Sequence, residues 1–190
     1  MDIRQREEGE WIERCLRGEQ RVYAYLVQRY ERMVRSVIRR LIVSDAEVDD
    51  LAQAAFVTAY ENLAQFEGTA RFSTWVCEIA LNKSRDWLRG QRRRQANIDE
   101  DADVERVDVG DPSDGPERKA ELKQRDGKLQ AALARLRAGE REVIVLKYVE
   151  GHDYETVARM LGCSVDAAKV RSLRAREVLK EVLKQMGVEL

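Results

Sequence analysis

Histidine occurs once in these 190 residues, cysteine three times and proline twice. A single histidine, His152, leaves no material for a histidine-based catalytic dyad or a histidine-rich metal cluster. Cys15, Cys77 and Cys163 are odd in number, far apart and never in C-x-x-C spacing. They read as reduced thiols, so neither a disulfide framework nor a zinc site is expected. No glycine-rich phosphate loop occurs, and the acids cluster where nothing would fix a catalytic pair. Catalysis, cofactor and metal are therefore all unexpected. Equally missing is any run of eighteen apolar residues, and charges are scattered through the first twenty positions. A membrane span or secretory leader is not expected, and the cytoplasm is the expected location.

What is present is 44% hydrophobic and 36% charged residues, with few glycines. That mixture suits amphipathic helices, and no segment alternates as strands do. The expected class is all-α. A formal net charge of −1 hides opposed blocks. Lys83 to Arg94 carries six bases against Asp86, whereas Gln95 to Arg118 carries nine acids against Arg106 and Arg118. The acidic stretch also holds Pro112, Pro116, Gly110 and Gly115. With so few apolar residues it cannot bury a core, and it reads as a linker. The expected organisation is a helical domain over 1–94, a flexible acidic linker over 95–120 and a second helical domain over 121–190.

In the first domain, residues 10–17 predict a short helix ending at Gly18, and a longer one runs from about Glu19 to Ile42. Ser44 and Glu47 have capping-box spacing. The next helix places Val48, Leu51, Ala52, Ala55, Phe56, Ala59 and Leu63 on an arc of about 140°, which predicts core. Asp49, Asp50 and Gln53 fall on its exposed flank. A loop from Phe66 to Phe72, punctuated by Gly68, precedes a helix that Ser73 can cap. There Trp75, Val76, Ile79, Ala80 and Trp87 share one arc, while Asn82, Arg85, Arg89 and Arg92 share another of about 80°. Gly90 predicts a loosened last turn.

The second domain opens with a predicted helix near Leu122–Arg137 and the apolar run Val143–Leu146. Tyr154–Leu161, the turn Gly162-Cys163-Ser164 and a basic helix from Val165 to about Gln185 then read as a helix-turn-helix. Ala158 is small where helices cross, Gly162 permits a left-handed turn, and Ser164 can cap the basic helix. Val165, Ala168, Ser172, Ala175 and Leu179 form a narrow inward arc. Lys169, Arg171 and Arg174 point away from it, with Arg176 and Lys180 flanking. Such a face can enter a major groove, although basic residues on exposed helices are often merely solvated. Similarly, the aromatic loop with Asn82 and the arginines suits single-stranded DNA, where rings stack, an amide reads a base edge and guanidiniums track phosphates. Trp75 and Trp87 read as core; Phe66 fits either role.

The segment DAEVDDLAQAAFVTAYENLAQFEGTARFSTWVCEIALNKSRDWLRGQRRR (45–94) resembles region two of the extracytoplasmic function (ECF) sigma factors. LRAGEREVIVLKYVEGHDYETVARMLGCSVDAAKVRSLRAR (136–176) resembles their region four. The two stand in the family's order, separated by the linker. The resemblance implies a non-catalytic specificity subunit that binds core RNA polymerase and promoter DNA, often held by an anti-sigma factor. It implies polymerase contact by Asp49, Asp50 and Gln53. Minus-ten DNA would be met by Phe66, Arg71, Phe72, Asn82, Arg85 and Arg89. Minus-thirty-five DNA would be met by Lys169, Arg171, Leu173, Arg174 and Arg176. The acidic linker would thread the polymerase's RNA exit path.

Some positions depart from the family pattern. Ala54 stands where an acid is usual, Ala138 where proline is usual, Asp166-Ala167-Ala168 where Gly-Thr-Val is frequent, and Ser172 where leucine is usual. Two other readings compete: a dimeric repressor or activator using the same helix-turn-helix on a palindrome, and an adaptor that docks only proteins. Neither accounts for the 45–94 stretch. His152 is expected in an exposed turn, Cys163 as a small filler, and Cys77 partly exposed; none has an expected role.

Overall fold

The computed structural model describes residues 3–42, 45–96 and 126–188. All regular structure among them is helical, and the chain divides into two compact units, Met1–Ala102 and Asp103–Leu190. Positions 97–120 of the expected linker lie outside the described residues, as does Ser44 of the expected capping box.

In the first unit, α1 (Ile3–Leu16) leads through a 3-10 turn (Gln20–Val22) into α2 (Tyr23–Leu41). α3 (Asp45–Glu61), a second 3-10 turn (Leu63–Gln65) and α4 (Phe72–Ala96) come next. α1 therefore starts well before position 10, and the expected Glu19–Ile42 helix begins with a tightened turn. Each pair among α2, α3 and α4 is in contact, and α1 lies on α2 and touches the Leu63–Gln65 turn. The shared core takes Leu26, Val34, Val37 and Ile38 from α2, the predicted Val48, Ala52, Ala55 and Ala59 from α3, and Val76, Ala80 and Leu81 from α4. Cys77 is fully buried with them rather than partly exposed. A helix held against two others buries a wider arc than one amphipathic stripe suggests. Tyr23 ties α2 to α3 by donating from its hydroxyl to the Phe56 carbonyl (2.7 Å). α4 passes through Gly90 unbroken to Ala96, so no loosened turn occurs.

The second unit comprises α5 (126–134), α6 (Ala138–Ile144), a π-helical turn (Val145–Val149), α7 (Tyr154–Leu161) and α8 (Val165–Gln185). α5 ends short of Arg137 because Arg141 closes it. Its guanidinium donates to the carbonyls of Leu133 (2.7 Å), Ala134 (2.9 Å) and Leu136 (3.2 Å). Leu133 and Ala134 carry two of the carbonyls that a helix C-terminus leaves without an intrahelical donor, and Leu136 lies just beyond it. Glu140 then accepts the Arg137 N–H at the start of α6 (3.1 Å). Arg137 has φ −62° and ψ 150°, the extended conformation that a following proline demands, and Ala138 is the first helical residue. Ala138→Pro should therefore stabilise the chain by about 0.4–1 kcal/mol, chiefly by restricting the unfolded state. Thermal unfolding should show a raised midpoint, and a lowered one would count against this start for α6.

The helix-turn-helix is built as its residues predict. Asp153 accepts the Thr156 N–H (2.7 Å), Gly162 takes the left-handed conformation at φ 62°, and Ser164 accepts the Ala167 N–H (3.2 Å). Beneath α8, Ala168, Ser172 and Ala175 are fully buried. Ser172, standing where leucine is usual, is a polar junction: its Oγ lies 3.0 Å from the Tyr148 hydroxyl and accepts from the Tyr154 hydroxyl at 3.2 Å. Partial burial works against the Tyr148 phenolate, but bonds to Ser172, Tyr154 and Arg176 outweigh it and hold the phenol below its ordinary range. Ser172→Leu would overfill this sealed site and strip two hydroxyls of a partner. A loss of about 1–3 kcal/mol is expected in urea unfolding; an unchanged midpoint would contradict the packing.

His152 is half-buried instead of lying in an exposed turn. Its N–H donates to the Leu146 carbonyl (3.1 Å), its own carbonyl accepts from Lys147 Nζ (2.9 Å), and burial lowers its imidazole pKa.

Candidate functional site

The exposed flank of α3 carries Asp49, Asp50 and Gln53. They border a groove of about 760 Å³ between α2 and α3, whose floor includes Val27, Phe56, Val57 and Tyr60. Arg35 of α2 donates to Asp49 Oδ1 across the groove rim. A cation thus orients Asp49, while Asp50 and Gln53 project from the rim into solvent. The apolar floor is invisible to helical periodicity because it joins residues of two helices, with Val27 from α2, and because Val57 is exposed off the core stripe of α3.

The loop before α4 rests on a cluster of rings packed edge-on and tilted. Phe66, Phe72 and Trp75 lie with centroids 5.2–5.8 Å apart, and Tyr30 of α2 lies 5.7 Å from Phe72. Phe72 is wholly buried at the centre. That is at odds with its expected contact to DNA, because a ring packed on three sides offers no face to a base. Phe66 is the half-buried outer ring, and Arg71 is exposed at the end of the loop. Gly68, at the tip, has φ +70°, a backbone state that favours glycine.

α4 does not begin with a Ser73 cap. It begins one residue earlier, at Phe72, whose N–H donates to Glu8 Oε1 of α1 (3.2 Å). Trp75 and Asn82, seven residues apart, stand where their two arcs adjoin, and so share a face of α4 about 10.5 Å apart along its axis. Asn82 is exposed, and its Oδ1 accepts from Arg85 Nη1 (3.2 Å). Its amide donors have no acceptor among the described residues. Arg89 pairs with Asp86, which partly neutralises the basic flank. Trp87 donates from Nε1 to Glu47 Oε2 (2.9 Å). It serves structure, and Glu47 is engaged by α4.

On α8, Lys169, Leu173 and Arg174 are exposed, Leu173 at 60%. Lys169 stands 3.6 Å from Asp166 in an exposed pair of little strength. Arg171 is half-buried, and its Nη1 lies 3.9 Å from where a Cβ on Gly139 would stand. Arg176 lies over the Tyr148 ring (5.6 Å) on the other side. Three of the five candidates thus form the outward face, and Arg176, also exposed, stands at its edge. Val170, exposed at 49% between them, is a fourth residue there that attention to charge overlooks.

Comparison with known proteins matches each unit to a family. The Sigma-70 region 2 family matches residues 26–94 and the Sigma-70 region 4 family matches residues 126–179. The ECF RNA polymerase sigma-E factor of Escherichia coli K12 is 31% identical over 172 residues, covering 88% of this chain and 90% of that one. The chain belongs to the ECF sigma factors.

Among solved structures, the sigma factor resembles CnrH, seen in complex with the cytosolic domain of CnrY. That match has 29% identity and a TM-score of 0.66, and covers 92% of this chain and 96% of the other. It also shares its fold with the sigma factor RpoE of Bartonella quintana, seen in complex with the anti-sigma factor NepR. There the identity is 22%, the TM-score 0.67, and the coverage 85% and 96%. The region 2 match takes in α2 to α4, and the region 4 match takes in α5 through most of α8. α1 lies ahead of both. As a sigma factor the chain directs core RNA polymerase to promoters, which leaves no place for the repressor and adaptor readings. Among the described residues no helix is long and apolar enough to cross a membrane, and no cluster suits a metal ion.

Proposed function

We propose that the first unit holds core polymerase through Asp50, Gln53 and the groove floor, with Arg35 fixing Asp49 at its edge. Phe66 and Asn82 take up one unpaired minus-ten base, and Arg71, Arg85 and Arg89 track its backbone. Lys169, Leu173 and Arg174, joined by Val170, face the minus-thirty-five duplex from α8. The acidic segment tethers the two domains. The protein works as a dissociable, non-catalytic subunit in the cytoplasm, and an anti-sigma factor holds it inactive until a signal arrives. The observation that carries the promoter reading is Asn82: an exposed amide with free donors, on the same helical face as the Trp75 ring that backs Phe66.

Run-off transcription with purified core polymerase and genomic promoter fragments tests the whole reading. Initiation from discrete sites only when the protein is added supports it. Failure to associate with core polymerase, even at low salt and high concentration, overturns it.

A further inference from the structure

Glu8 is a carboxylate where none is easily accommodated. It is 8% exposed, and a buried carboxylate is tolerable only when hydrogen bonds replace its lost water. Both of its oxygens are used by other elements. Oε1 accepts the Phe72 N–H (3.2 Å), and Oε2 accepts the Tyr30 hydroxyl. Phe72 is the first residue of α4, so its N–H is among those with no intrahelical acceptor, at the positive end of the helix dipole. No acidic residue lies in the first turn of α4. Glu8 supplies that missing negative charge from a helix 64 residues earlier.

What Glu8 fixes bears directly on the loop. Phe72 and Tyr30, its two partners, are packed ring to ring, and Phe72 in turn packs on Phe66 and Trp75. Burial first, and then the bond to Glu8, pushes the Tyr30 phenol well above its ordinary range, with Arg29 and Arg71 opposing from nearby. Tyr30 accordingly stays a neutral donor. One carboxylate thus sets both the entry point of α4 and the ring on which Phe66 rests.

We propose that Glu8 is a positioning residue for base capture, which makes α1 part of the melting apparatus although it precedes the matched region 2. This deepens the reading of Phe66 and Asn82 as the base pocket and rests on it. Glu8→Gln keeps the size and one acceptor but gives up the charge at the α4 terminus. Glu7→Gln is the control, since Glu7 sits next to it on α1 and makes an exposed ion pair with Arg29 (2.7 Å).

The test uses holoenzyme on a promoter recovered by run-off transcription, with each minus-ten base of the non-template strand replaced in turn by an abasic nucleotide. For the wild type, one position should lower open-complex formation by at least tenfold. In Glu8→Gln that ratio should shrink to within about threefold, with affinity for core polymerase within twofold of wild type. A general loss of stability would slow every template alike and leave the ratio intact. Tyr30→Phe, which removes one of the two tethers, should fall between. An undiminished ratio in Glu8→Gln, or an equal reduction in Glu7→Gln, overturns the proposal while leaving the pocket standing. A wild type indifferent to every abasic position overturns the pocket and this inference together.

Discussion

Asn82→Ala should slow open-complex formation by about 10–100-fold while leaving closed-complex formation within about twofold. The magnitude comes from losing a base-edge contact worth about 1–3 kcal/mol at about 1.4 kcal/mol per tenfold. The selectivity comes from exposure: among the described residues Asn82 bonds only its helix neighbour Arg85, so the fold should change by less than about 0.5 kcal/mol. Permanganate reactivity of unpaired thymines reports melting, and gel retardation at low temperature reports the closed complex. Equal loss in both would mean that Asn82 meets duplex DNA or supports the unit. An Arg85→Ala partner experiment sharpens the result. The double variant should lose less than the two single losses combined, because Arg85 Nη1 bonds Asn82 Oδ1.

The second large effect concerns α8. If its outward cations and their flanks neutralise about four phosphates, duplex affinity should depend on salt with a log–log slope near −3.6, or about 150-fold between 50 and 200 mM. Replacing Lys169 and Arg174 together by alanine should bring the slope to about −1.8 and the loss over that range to about 12-fold. Leu173→Ala should leave the slope unchanged while altering which duplexes bind best, since an apolar side chain meets bases and not phosphates. Fluorescence anisotropy with a labelled minus-thirty-five duplex and the purified protein without polymerase, across a salt series, measures both. A double variant with the wild-type slope would remove α8 from the phosphate contacts.

Local pattern makes much of this protein legible. The stripe from Val48 to Leu63 depends on helical period alone, and so does the inward face Ala168, Ser172, Ala175. Gly162 and Ser164 announce the turn through backbone freedom and a cap within three residues. What stays hidden depends on partners distant in sequence. Glu8 reaches Phe72, Trp87 reaches Glu47, and Tyr148 and Tyr154 meet at Ser172, across separations that periodicity does not address. Phe72 misleads for the same reason: an aromatic beside a glycine loop looks available until Tyr30 arrives from another helix. His152 looks exposed next to Gly151 because only the π-helical turn folds the chain back to Leu146. Family resemblance can point to Asn82 and Lys169, but their accessibility is a property of the packed helices.

The supports under α8 carry a last consequence. Alanine and serine let that helix settle close to its neighbours, and the hydroxyl junction at Ser172 pins its rotation, so which residues look outward is decided entirely from below. Val170, Leu173 and Arg174 can then change identity at little cost to folding. If α8 reads duplex as proposed, a lineage could retarget its regulon by rewriting three letters of one helix, leaving the scaffold beneath untouched.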